Sequence, residues 1–285
     1  MEDDLDKLTE AKVELPWDVK RGKCTAGVNE YDVLDPGRQQ ALALKAAMAF
    51  VQHWAPQCAT FSQLRGRPIP GVPYSRLPKV VRSAAHPEGL PEFLGEGADP
   101  ELKARIEGDT KMAVFAATQA ALAVASGRFF IMENPSGPWL WDLPEVAALA
   151  AMDGVRVVLF HACAFGSERR KATTLLTNMP EVGEECGVIC GERRAKANCP
   201  FLGRPHLSWE SEVNEAGRFT PPSKGESEYQ PRLCAAIAKA CIRWRQAVLE
   251  AGDPLPPTFF IEVFSGPNAP LTTAVAAACK TVPRD

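Results

Sequence analysis

The stretch AFVQHWAPQCATFS, residues 49–62, decides how this chain is read. Its first six residues form an apolar run of strand length, preceded by the helical pattern RQQALALKAAM (38–48) behind Pro36-Gly37. Its second half is a loop that begins at Ala55-Pro56 and carries Cys58, with Phe61 and Ser62 close behind. A buried strand that stops at such a loop is the building unit of an open α/β sheet. Such sheets bind their ligands at the carboxyl ends of the strands.

The alternation continues outward. YDVLD (31–35) reads as a short strand, and ELKARIEGDTKMAVFAATQAALAVAS (101–126) is Ala-rich with helical periodicity. RFFIME (128–133) reads as a strand halted by Asn134-Pro135; VRVVLFHA (155–162) and TTLLTN (173–178) are further strands. PRLCAAIAKACIRWRQAVLEA (231–251) is a helix with Pro231 in its first turn, where a missing N–H costs nothing. TFFIEVF (258–264) is a strand, and a last helix follows Pro270. The order predicts an α/β fold with a mostly parallel sheet. Residues 64–100, dense in proline and glycine, read as one long loop able to close over a bound target. The expected division is an acidic, disordered N-terminus (1–20), a core (21–182), a short Cys-rich irregular segment (183–228) and a C-terminal helix, strand and helix (229–285).

With 285 residues the chain is long enough for one large domain or two small ones. A net charge of −3 provides no global basic field, so contact with nucleic acid would rest on local patches: Arg65/Arg67, Arg169/Arg170/Lys171 and Arg193/Arg194/Lys196. Nine cysteines, an odd count in a long chain with no secretory signal, predict reduced thiols and a nuclear or cytoplasmic location. No apolar run approaches the roughly 18 residues needed to span a bilayer, so no membrane insertion is expected. The four histidines form no i, i+4 pair and no triad with Ser and Asp, which disfavours a hydrolase.

Three strand-end loops carry unusual chemistry: Pro56-Gln57-Cys58-Ala59-Thr60-Phe61-Ser62, Glu133-Asn134-Pro135 and Phe264-Ser265-Gly266-Pro267-Asn268. Together they resemble the cytosine-C5 DNA methyltransferases, most closely divergent members carried in retroelement polyproteins. CAFGSERRKATTLL (163–176) resembles the family's Arg-x-Arg strand, with Arg170 and Lys171 in the base-holding role, and EYQPRLCAAIAKA (228–240) is similar to its last shared helix. The resemblance covers most of residues 31–279. It implies a Rossmann-like class I methyltransferase sheet, incomplete or circularly permuted. It further implies S-adenosylmethionine as cofactor, DNA as partner, Cys58 as nucleophile and Glu133 as acid. Phe264, Ser265, Gly266 and Asn268 would hold the cofactor and Asp32 would face its adenine, with Glu14 a weaker candidate for the ribose.

The chain departs from that pattern in three places. The Gly-Pro-Pro-Cys loop is Ala55-Pro56-Gln57-Cys58, the Arg-x-Arg positions hold Lys171 and Thr173, and the cofactor loop comes last instead of first. Two explanations of the order stay open: a circular permutation, or a tandem polyprotein in which FIEVFSG begins the next copy. Apart from the resemblance, Cys186, Cys190, Cys199 and His206 in ECGVICGERRAKANCPFLGRPH (185–206) offer four soft ligands that could hold zinc tetrahedrally. The alternative to an enzyme is a catalytically inactive structural or nucleic-acid-binding fragment of a mobile-element polyprotein.

Overall fold

In the computed structural model, strand β1 (Ala49–Trp54) follows helix α1 (Pro36–Met48) with no intervening loop. Asp35 starts that helix: its carboxylate accepts the Arg38 N–H at 2.9 Å, and Pro36 occupies the first turn. The cap replaces part of the strand expected over 31–35, since residues 33–35 form a turn. The structure describes residues 33–63, 65–68, 73, 75, 77–192, 197–209, 212–213, 219–220, 229–252, 258–263 and 270–281.

Helix α2 (Pro91–Leu94) and the long helix α3 (Pro100–Ala125) come next. Asp99 caps α3 by accepting the N–H groups of Glu101 and Leu102. Then follow strand β2 (Phe129–Pro135), helix α4 (Pro144–Ala150), strands β3 (Arg156–His161) and β4 (Ala172–Thr177), and helix α5 (Pro180–Cys186). A small ribbon, β5 (Glu212–Val213) with β6 (Phe219–Thr220), precedes helix α6 (Pro231–Glu250), strand β7 (Thr258–Val263) and helix α7 (Pro270–Thr281). The irregular segment expected from residue 183 thus begins inside a helix.

Among the described residues, five strands form one open sheet in the order β3-β4-β2-β1-β7. β1 lies parallel to both β2 and β7, whereas β4 runs antiparallel to its two neighbours. Four strands therefore share a direction, as expected of an α/β fold. β4 is reversed because the 162–171 connection from β3 is too short for a parallel crossover. β2 continues through Asn134-Pro135 instead of stopping there, because those residues pair with Thr174 and Thr173 of β4; a proline at a strand end forfeits a single ladder bond.

Side chains alternate between two apolar layers. Phe130, Met132, Leu176, Ile261 and Val263 pack on one face with residues of α1, α3 and α4. Ile131, Leu175, Phe260 and Val51 pack on the other, against α5, α6 and α7. Phe260, Ile261 and Val263 are fully buried, so the strand expected over 258–264 is an integral part of this sheet. No helix among the described residues is long and apolar enough to cross a membrane.

Candidate active site

The strand directions bring four chain segments to one rim. β7, β1 and β2 end there, and β4 begins there, since its Thr173 pairs with Pro135. The loop leaving β1 carries Cys58 and is tied on every side. Ala55 N–H donates to the Val263 carbonyl at 3.1 Å, which fastens it to β7. Asn134 Nδ2 donates to the Pro56 carbonyl at 2.7 Å, which fastens it to β2. Trp139 N–H donates to the Phe61 carbonyl at 3.1 Å.

The far half of the loop rests on a buried polar cluster. Thr60 donates from both its N–H and its hydroxyl to Asp109 Oδ2, at 3.1 and 2.6 Å. The same hydroxyl accepts from Arg82 Nη2 at 2.8 Å. Arg82 is 1 % exposed; it also donates to the carbonyls of Pro87 and Ile106 and lies 3.8 Å from the centre of the Phe61 ring. Of the 64–100 loop expected to be able to close over a target, the part around Arg82 is held in place. Arg82 and its neighbours are a fixed buttress under the Cys58 loop, because a buried guanidinium with this many partners cannot leave without stranding them.

Cys58 is half-buried and Glu133 is buried at the end of β2. Burial raises the Cys58 thiol above its ordinary pKa; the Lys171 charge pulls it back and the Glu133 charge adds to the rise. Burial likewise raises the Glu133 carboxyl, opposed by Lys171 and by the Tyr229 hydrogen bond. The charges of Glu133 and Lys171 thus bear on the Cys58 sulfur, and that of Lys171 on the Glu133 carboxyl, although they stand at positions 58, 133 and 171.

Beneath Glu133 lies a group of polar side chains. His53 pairs with Glu262 across β1 and β7 and with Ile131 across β1 and β2, so His53, Glu133 and Glu262 all point to the α6 side of the sheet. Tyr229, just ahead of α6, donates its hydroxyl to Glu133 Oε2 at 3.2 Å and lies 3.4 Å from His53 Nε2. His53 is fully buried, and burial pushes its pKa down to about 3, so the ring is neutral. Its Nδ1 is buried without a partner, which matches a proton on Nε2 directed at the Tyr229 oxygen. Burial and the charges of Glu133 and Glu262 keep the Tyr229 phenol protonated. Sequence reasoning did not single out Tyr229; its signal was a lone tyrosine two residues before the helix-opening Pro231.

The other expected residues separate into groups. Arg170 and Lys171 act in different places: the chain turns at Arg170, with Lys171 N–H donating to the Arg169 carbonyl at 3.0 Å, and Lys171 acts on Cys58 whereas the Arg170 charge acts on His206. Cys190, Cys199 and His206 do converge, but Cys186 is not with them. It packs from α5 into the apolar core beside β3, where burial pushes its thiol up to about 12. Cys163, in the 3₁₀ turn after β3, takes the fourth place. Asp32, Phe264, Ser265, Gly266 and Asn268 lie outside the described residues, as do Glu14, Arg193, Arg194 and Lys196. The chain matches no family model, no curated protein and no solved structure.

Proposed function

We propose that this chain transfers a methyl group from S-adenosylmethionine to C5 of cytosine in DNA, through a covalent adduct on Cys58. The observation that supports this reading best is the electrostatic coupling of Cys58 with Glu133 and Lys171, with the Cys58 loop fastened to β2 and β7 at once. The mixed sheet is compatible with a Rossmann-like class I methyltransferase fold. The parallel pairing of β7 with β1 favours circular permutation over a strand that starts another copy, because β7 sits within this sheet.

Each residue then has a role set by its surroundings. The Cys58 thiol loses its proton with the help of the Lys171 charge, and the thiolate adds to C6 of the ring. The electron pair displaced by that addition moves toward C5, the carbon to be methylated; once C5 carries the methyl, loss of its proton to water restores the C5=C6 double bond and expels the Cys58 thiolate. Glu133, whose carboxyl burial raises above its ordinary pKa, would in its protonated form share its proton with ring N3 as charge develops there. Tyr229 holds Glu133 Oε2 by a hydrogen bond, which fixes the orientation of the carboxyl. Asn134 positions the nucleophile through the Pro56 carbonyl. The target base must leave the duplex to reach this rim.

S-adenosylmethionine supplies an electrophilic methyl on its sulfonium. It would sit at the carboxyl end of β7, next to the Cys58 loop, since parallel sheets hold ligands at that end of their strands. Phe264, Ser265, Gly266 and Asn268 follow that strand end directly and would hold the cofactor, with Asp32 toward the adenine.

The competing reading, an inactive nucleic-acid-binding fragment of a mobile-element polyprotein, draws on the burial that keeps the Cys58 thiol protonated at rest. The two are separated by incubating the full chain with duplex DNA and methyl-labelled S-adenosylmethionine and then hydrolysing the DNA. Label in 5-methylcytosine that disappears in Cys58→Ala is expected; unlabelled DNA from folded protein overturns the proposal.

A further inference from the structure

At the far end of the same rim, beyond β4, Cys163, Cys190, Cys199 and His206 face one another. We infer that they form a closed structural zinc site, independent of the methyl-transfer reading. Their ligand atoms all lie within 4.8 Å of one another. Cys190 Sγ stands 3.8 Å from Cys199 Sγ and 3.8 Å from His206 Nε2. A tetrahedron with Zn–S bonds of about 2.3 Å has S···S edges of about 3.8 Å, so these separations are those of ligands around one ion. They are far too long for a disulfide.

The backbone prepares the same geometry. Cys190 N–H donates to His161 Nδ1 at 2.9 Å, which fixes the approach of that residue. Cys199 sits in a tight turn: the Leu202 and Gly203 N–H groups donate to its carbonyl, and its own N–H donates to the Arg204 carbonyl at 2.9 Å. Three thiolates around a divalent ion carry one net negative charge, which the protein interior must accommodate.

The need for a staple is visible in the surroundings. The three cysteines form a small cluster of their own, with only Leu202 among the described residues packed against it. Phe201, Leu207 and Trp209 on the same loop are exposed. A loop with so little apolar burial does not hold its shape by packing. Zinc would fasten this loop to the turn leading into β4. That turn already bonds the loop through Leu207 N–H to the Glu168 carbonyl, Arg169 Nε to the Ser208 carbonyl, and the Arg204–Glu168 ion pair. Lys171 stands at the end of that turn, so the ion would set the position of one wall of the Cys58 site. With all four positions taken by protein, the ion has no place for water or substrate and does no chemistry.

The test uses the full chain purified under reducing conditions. Elemental analysis should find about one zinc per chain, and exchange for cobalt(II) should give the absorption of a tetrahedral ion with thiolate charge-transfer bands. Cys163→Ser and Cys199→Ser should each lose the metal, whereas Cys186→Ser should keep it in full. If the ligand variants fail to fold, the cobalt spectrum of the unaltered chain still decides, because its charge-transfer intensity counts thiolates. A folded chain that retains no zinc and gives no tetrahedral cobalt spectrum overturns the inference. So does loss of metal in Cys186→Ser with retention in Cys163→Ser.

Discussion

Lys171 is the side chain through which Cys58 and Glu133 are tuned together. Its charge lowers the thiol pKa that burial has raised, so Lys171→Met should move the pH profile of Cys58 alkylation upward, while Glu133→Gln should move it downward. Iodoacetamide labelling of Cys58 followed by peptide mass measurement checks both; no movement in either variant would separate the three groups. Glu133 also makes stability depend on pH. Its folded pKa lies above the unfolded one, so the native state binds more protons, and stability falls as pH rises from the unfolded value through the folded one. Glu133→Gln lacks this loss, and thermal melts should show it gaining on the parent as pH rises, with the difference vanishing in acid. Cys58 and Glu133 were singled out in the sequence because the strand-end loops that carry them together resemble those of one family; the parallel pairing of β1 with β2 then brings both strand ends to one rim. Tyr229 and Cys163 were not, because what matters about them is a neighbour far away in the chain: Glu133 for one, Cys190 and Cys199 for the other.

At the scale of elements, the Cys58 loop owes its shape to Arg82. Replacing it takes a partner from the Thr60 hydroxyl and from the Pro87 and Ile106 carbonyls and removes the positive charge beside the buried Asp109 carboxylate, so Arg82→Met should cost about 3 kcal/mol in urea unfolding. A cost near zero would show that the segment is no buttress. The long helices and the strands 49–54, 128–133 and 258–264 were readable from periodicity and from their Pro and Asp boundaries. The order inside 64–100 was hidden, because one buried arginine supplies it and no repeating pattern announces a buried arginine. The reversal of β4 is set by the length of the connection before it, a feature that propensity does not carry.

For the whole molecule, the strand that comes last in the chain lies at the edge of the sheet, directly beside the first. A chain cut after residue 252 loses β7 and α7, exposing the flank of β1 and the apolar side of α6 that Leu271 and Val275 cover. It should lose its cooperative thermal transition; an unchanged melting temperature would mean that the C-terminal strand is dispensable to this fold. The rim joins sulfur, carboxyl and ammonium from three separate stretches, and the account of function rests on their acting together on one base. The most direct measurement offers the full chain, with S-adenosylmethionine, a duplex whose target cytosines carry fluorine at C5, so that release after methylation is blocked. A denaturation-resistant protein–DNA adduct should form, and its digestion should place the modified nucleotide on Cys58. Folded protein that binds the duplex and the cofactor yet yields no adduct, or one that survives Cys58→Ala, would contradict the account.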